Sequence, residues 1–126
     1  EVKDNALKAV LTALEIRTAV RQLNVYLAEK GETFRVGVGI NTGVALAGAV
    51  GPMERQEYTV VGNTVNLAAR IDGLNKQFPE HDILISPWTY EALGNQRSNF
   101  NLTSLGSVPI RGRNEPVEIW AVIGKI

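Results

Sequence analysis

The sequence predicts an α+β domain: an antiparallel sheet with helices packed on it. Three stretches carry that expectation. Residues 4–29 have the apolar spacing of one long amphipathic helix, residues 44–78 read as two short strands running into a second helix, and residues 100–123 hold two strands that alternate apolar and polar.

In the first helix Leu7, Val10, Leu11, Leu14, Val20, Leu23 and Leu27 recur at helical spacing, while Lys8, Glu15, Arg17, Arg21 and Gln22 fill the other side. Packing on a sheet is the expected role, with an interaction helix or coiled-coil segment as the alternative. Asp4 or Asn5 is the expected cap, and Gly31 the stop. Residues 34–40 alternate Phe34, Val36, Val38 and Ile40 with Arg35, Gly37 and Gly39, a strand whose glycines let another backbone or helix come close. Asn41-Thr42-Gly43 is a turn signal, and residues 44–50 form a small, apolar second strand. Gly37, Gly39 and Gly43 do not make a dinucleotide-binding loop, because their spacing is GxGxxxG and no helix pattern follows. Gly51-Pro52 breaks the strand, and residues 53–56 form a polar hairpin tip.

Residues 57–70, EYTVVGNTVNLAAR, carry the functional signal. Tyr58, Thr59, Val60 and Val61 suit a short buried strand that ends at Gly62. Asn63 and Thr64 are helix-capping residue types, and Val65, Leu67, Ala68 and Ile71 give the following helix one apolar face. Asn63, Asn66 and Arg70 stand three and four positions apart, so they stack on one side of its first turns. An amide and a fixed cation thus project together beside backbone N–H groups the helix leaves unsatisfied, an arrangement that attracts anions, phosphate above all. Taken alone, the stretch also admits a purely structural reading: Asn63 as a cap, Asn66 as a solvated residue, and Arg70 paired with Asp72 or Glu57.

The second helix is expected to run to about Phe78 and stop at Pro79. His81, the single histidine, lacks partners for a metal and reads as a solvated loop residue. Residues 83–85 form a short, fully apolar strand. Ser86 and Pro87 open a brief helix through Leu93, followed by a polar loop over residues 94–98. Strands over residues 100–108 and 116–123 close the chain, joined through Ile110-Arg111-Gly112-Arg113-Asn114. Trp88 and Trp120 read as packing residues rather than base-stacking platforms.

Composition narrows the function classes. The 126 residues make one domain or part of one. Thirteen basic residues balance thirteen acidic ones, so no basic excess marks a nucleic-acid binder. With Cys count 0, thiol chemistry, disulfides and zinc-thiolate sites are excluded. No apolar run approaches the roughly 20 residues of a membrane span, so direct membrane contact is not expected and a cytoplasmic setting is compatible. Opening at Glu1, without Met, directly into a helical pattern, the chain reads as a fragment of something longer.

Read together with RVGVGINTGVALAGAVG before it and IRGRNEPVEIW after it, residues 57–70 closely resemble the C-terminal part of the class III nucleotide cyclase catalytic domain of adenylyl and guanylyl cyclases. The resemblance runs from the first helix to the last strand, nearly the whole chain, so residues 1–126 are expected to be a partial catalytic domain of ferredoxin-like fold with its N-terminal portion missing. It implies that Asn66 contacts the ribose and Arg70 stabilises the transition state at the α-phosphate. It further implies that Thr59 helps select the purine, favouring ATP, and that Arg111 before Gly112 grips the terminal phosphates; Asn63, on the same side of the helix as Asn66 and Arg70, is a further candidate substrate contact. Two Mg2+ or Mn2+ ions are implied as cofactors, held by two Asp residues of the family's first half. No metal ligand is therefore expected in this chain; those carboxylates belong upstream of Glu1, and Asp4, Asp72 and Asp82 lie in the wrong motifs to replace them. The active site is implied to form between two cyclase domains in a homodimer, so this segment alone is expected to be inactive. The competing expectations are a guanylate cyclase, a degenerate cyclase-like domain that binds nucleotide or a partner without turnover, and a non-enzymatic interaction domain.

Overall fold

The computed structural model describes residues 4–43, 46–50, 57–61 and 63–126, with the backbone alone for residues 46–50 and 57–61. Helix α1 spans Asn5–Ala28, and only its first half is buried, through Ala6, Val10 and Ala13. Beyond that the helix leaves the sheet: Leu23, Val25 and Tyr26 are exposed. Packing on a sheet thus describes one half of α1. Asp4 stands at the cap position in a left-handed conformation (φ 63°) and its side chain caps nothing, because that conformation turns it away from the first-turn N–H groups.

Strand β1 is Val38–Ile40, shorter than the alternation over residues 34–40 predicts. Its neighbour β4, Ile83–Ile85, offers three pairing residues, Val38↔Ile83 to Ile40↔Ile85, and a strand needs a partner as well as a pattern. Residue 34 is instead tied to α1, where Asn24 Nδ2 donates to the Phe34 carbonyl (2.9 Å) and Asn24 Oδ1 accepts from the Phe34 N–H (2.7 Å). Among the described residues the β1–β4 pair is the exception to the expected antiparallel sheet, being parallel. Strands β5, Phe100–Val108, and β6, Val117–Lys125, pair antiparallel, β6 also pairs antiparallel with β4, and the sheet order is β1-β4-β6-β5. Strands β2, Leu46–Val50, and β3, Glu57–Val61, form the expected antiparallel hairpin as a separate two-stranded sheet.

The sheet separates two apolar layers. On one face Val10 and Ala13 of α1 meet Ile83, Ile85 and Val122. On the other, Leu67 and Ile71 of helix α2, Asn63–Gly73, with Leu74 beyond it, meet Leu84, Ile119 and Ala121. Successive residues of a strand point to opposite faces, so β4 must be apolar at all three positions. Ile83, Leu84 and Ile85 are at most 1% exposed. Helix α2 is shorter than expected and continues as a 3-10 turn, Leu74–Lys76. Helix α3, Pro87–Leu93, has the expected cap, with Ser86 Oγ accepting from the Thr89 N–H, and residues 94–98, expected as a loop, lie in a 3-10 helix, Gly94–Asn99. Trp120 packs as expected, stacked on Tyr90 at 4.0 Å between centroids, whereas Trp88 is 42% exposed.

Arg17 does not belong to a solvated face. Its side chain is 9% exposed and forks onto Asp82 (Nη2–Oδ1 2.7 Å, Nε–Oδ2 3.0 Å), while also donating to the Val122 and Ile123 carbonyls (2.7 and 2.6 Å). Burial pushes the Asp82 carboxyl up, but the hydrogen bonds and charge of Arg17, its own backbone N–H and Arg21 outweigh this and hold it below the usual carboxylate range. The pair staples α1 to the entrance of β4 and the end of β6.

Candidate active site

Helix α2 lies unusually close to β1. A Cβ on Gly39 would collide with the Asp72 backbone N and stand 2.6 Å from the Ala68 carbonyl oxygen, and a Cβ on Gly37 would strike the Asn75 side-chain amide. Gly39 of the strand therefore admits the helix, as the glycine pattern predicts, while Gly37 just before the strand makes room for the Asn75 side chain of the 3-10 turn. With Leu67 and Ile71 buried on the sheet side, Asn63, Asn66 and Arg70 are left exposed on the helix. Asn63 is the first helical residue rather than the residue before the helix, one position from the expected capping role. Strand β3 leads directly toward α2 and carries Thr59 opposite Gly48; the Thr59 side chain lies outside the described residues.

The start of α2 is held by a polar cluster that the sequence reading missed. Asn41 Nδ2 donates to the Thr64 carbonyl (3.0 Å), and Ser86 Oγ donates to Asn41 Oδ1 (2.7 Å). Ser86 Oγ also accepts from the Thr89 N–H (3.1 Å), and the Thr89 and Thr42 hydroxyls are 2.9 Å apart. Ser86 and Thr89 are fully buried, so these bonds replace water that cannot reach them. One residue at the end of β1 thus links the N-termini of α2 and α3. The capping potential of Ser86 was visible in the sequence, but Asn41 looked like an ordinary turn residue because its partners are 23 and 45 residues away.

At the far end of the exposed row, α2 meets the β5–β6 connection. Arg70 Nη1 donates to the Arg111 carbonyl at 2.6 Å. The connection turns tightly there: the Arg113 N–H donates to the Ile110 carbonyl (3.1 Å), Gly112 has φ 85°, and Ile110 is buried beneath. Arg113 lies over the Trp88 ring at 4.8 Å, giving that exposed indole a charged partner. The structure therefore brings Arg70 and Arg111 to one place and leaves Asn63 and Asn66 on the same helix beside it. The Arg111 carbonyl accounts for the position of Arg70 without Asp72, and the Glu57 side chain, the other acidic partner considered, lies outside the described residues.

The Arg70 guanidinium, held on the Arg111 main chain at the end of an exposed row of amides, is a fixed cation that an anion can approach. Residues 1–124 match the family described as the adenylate and guanylate cyclase catalytic domain. The chain belongs to that family. This cyclase domain is 34% identical over 123 residues to the terminal-differentiation specific adenylate cyclase of Dictyostelium discoideum, covering 98% of this chain and 6% of that protein. Its fold is similar to that of the adenylyl cyclase CyaB from P. aeruginosa, with TM-score 0.82, 27% identity, and coverage of 100% of this chain and 62% of the other. It is likewise similar to the guanylyl cyclase Cya2, with TM-score 0.79, 32% identity, and coverage of 100% and 61%. The cyclase domain thus spans about three fifths of those solved chains, and the expected α+β class III cyclase fold holds.

Metal ligands are a separate matter. Among the described residues, no group of three or more His, Cys, Asp or Glu side chains is placed to hold an ion. Asp82 is engaged by Arg17, and Asp72 accepts from Asn75 Nδ2 (2.9 Å). Among the described residues, no helix is long and apolar enough to cross a membrane.

Proposed function

We propose that this chain is the nucleotide-gripping portion, residues 1–126, of an adenylate cyclase catalytic domain that converts ATP to 3′,5′-cyclic AMP and pyrophosphate for intracellular signalling. The observation that carries the proposal is the Arg70 guanidinium held on the Arg111 carbonyl at the end of the exposed α2 row. In such a reaction the ribose 3′-oxygen attacks the α-phosphorus in line, and negative charge builds on the equatorial oxygens and on the departing pyrophosphate. Arg70 stabilises the charge at the α-phosphate, Arg111 holds the terminal phosphates, Asn66 orients the ribose, and Asn63 adds a contact at the helix start. Donors already in place need no reorganisation as the charge develops. Thr59 biases the purine pocket to ATP. Divalent cations, Mg2+ or Mn2+, activate the attacking hydroxyl in chemistry of this kind. Their carboxylate ligands would have to come from outside the described residues, and a second cyclase domain, in a homodimer, supplies the other wall of the site. A cytoplasmic setting, where ATP is supplied, belongs to this reading.

A cyclase assay of the full-length protein with ATP or GTP and Mn2+ tests this reading. Arg70→Ala should lower kcat by roughly a hundredfold to a thousandfold, the loss typical of one removed transition-state donor, with the melting temperature little changed. Unaltered turnover in Arg70→Ala would take Arg70 out of the mechanism. Formation of cyclic GMP at a rate comparable to cyclic AMP would reverse the assignment of Thr59.

A further inference from the structure

The turn that joins β5 to β6 does more than carry Arg111. Its main chain accepts a hydrogen bond from Arg70 at 2.6 Å, and the residue that follows has no side chain where the guanidinium lies. A Cβ on Gly112 would stand 2.5 Å from Arg70 Nη1, 3.3 Å from Cζ and 3.5 Å from Nη2. The position therefore excludes a side chain twice: by its φ of 85° and by the guanidinium packed against it. On its outer side the turn is fastened by Arg113 over the Trp88 ring at 4.8 Å, and on its inner side by buried Ile110.

We propose that this turn is the positioning device for Arg70: the Arg111 carbonyl orients the guanidinium, Gly112 leaves room for it, and Trp88, through Arg113, keeps the turn in place. The inference rests on the role given to Arg70 above and deepens it. A guanidinium carries five donors in one rigid plane, so fixing one Nη–H on a carbonyl sets the direction of the remaining donors. An exposed arginine would otherwise sample many rotamers, and only one of them aims those donors at a phosphate oxygen. The device also links the two proposed phosphate contacts, since the main chain that holds Arg70 belongs to the residue given the terminal phosphates above. When a side chain is introduced at residue 112, the mobile guanidinium gives way rather than the sheet. The expected result is a folded protein with Arg70 displaced by roughly 1 Å, a shift of the size that costs up to about a hundredfold in rate.

The test is a set of kcat and KM measurements with ATP and Mn2+ on the full-length protein, alongside 15N NMR of the Arg70 guanidinium. Gly112→Ala should lower kcat about tenfold to a hundredfold, leave KM for ATP nearly unchanged, and release the Arg70 Nη signals from slow to fast rotation. Gly112→Asn, which tolerates the left-handed conformation but still adds a Cβ, should be equally impaired. Trp88→Leu should lower kcat by a smaller factor, and Trp88→Tyr, which keeps a ring under Arg113, should restore it. The deciding comparison is the double variant Arg70→Ala with Gly112→Ala, which should be no slower than Arg70→Ala alone. If Gly112→Ala slows the Arg70→Ala enzyme by the same factor as it slows the wild type, the turn does not act through Arg70 and the inference is overturned. If Arg70→Ala is itself silent, the proposed role of Arg70 fails, and slow guanidinium rotation would then mark a merely structural contact.

Discussion

Replacing Gly39 with alanine should damage stability and turnover through a single displacement. The new Cβ would collide with the Asp72 backbone N and lie 2.6 Å from the Ala68 carbonyl oxygen and 2.8 Å from Asp72 Cα. All three are main-chain atoms of α2, so no rotamer change relieves the contact. The helix must rise from β1 by roughly 1 Å, loosening the seat of Leu67 and Ile71 on the sheet, and overpacking of this kind costs about 1 to 3 kcal/mol. For a domain of this size that corresponds to a fall in Tm on the order of 4 to 12 °C. Because Asn66 and Arg70 ride on the same helix, kcat should fall by as much as a hundredfold, the order of loss expected for a misplacement of about 1 Å. Thermal unfolding followed by circular dichroism measures the first effect, and cyclic AMP formation the second. Gly37→Ala is the internal comparison. Its Cβ meets the side-chain amide of Asn75, which can swing aside, so its loss should be smaller. A Gly39→Ala protein that melts at or above the temperature of Gly37→Ala would refute the close seating of α2 and the argument built on it.

Two further outcomes follow from long-range contacts. Asp82 has a folded pKa below its unfolded value of about 3.9 because of Arg17, so its contribution is present above that pH and is lost as the pH falls through the folded value. Asp82→Asn should therefore melt lower than wild type by a constant margin at neutral pH and converge with it in strong acid; a margin unchanged at low pH would show that the carboxylate charge is irrelevant. Asn41→Ala removes the acceptor of the fully buried Ser86 hydroxyl and the donor to the Thr64 carbonyl. It should destabilise the fold by about 1 to 3 kcal/mol in denaturant unfolding, and an unchanged midpoint would mean the cluster does not hold α2.

What could be read from the sequence was local. Ser86-Pro87 announces the start of α3, and the unbroken Ile83, Leu84, Ile85 announces a strand buried on both faces. In each case the physical cause lies within a few residues of the signal. Where the cause lay elsewhere, the reading went astray. The alternation over residues 34–40 is a real strand pattern, but β4 supplies partners for only the last three. Arg17 sits at a helical position that looks solvated, and its burial depends on a carboxylate 65 residues away.

The proposed site divides along the same line. Asn66 and Arg70 are legible because the spacing of α2 alone puts them on one side. Their relation to the β5–β6 turn is not, because Arg70 is met by a backbone carbonyl 41 residues away, and every residue type offers a carbonyl. Only Gly112 leaves a trace of that contact in the sequence. A glycine chosen for its φ and a glycine chosen to make room for a guanidinium are written with the same letter, and Gly112 has both a positive φ and the Arg70 guanidinium where its Cβ would stand. Aspartate and asparagine tolerate the left-handed conformation better than other side chains do, so if φ were the whole requirement either would serve. The presence of Arg70 beneath the turn is what makes glycine the residue that satisfies both demands at once.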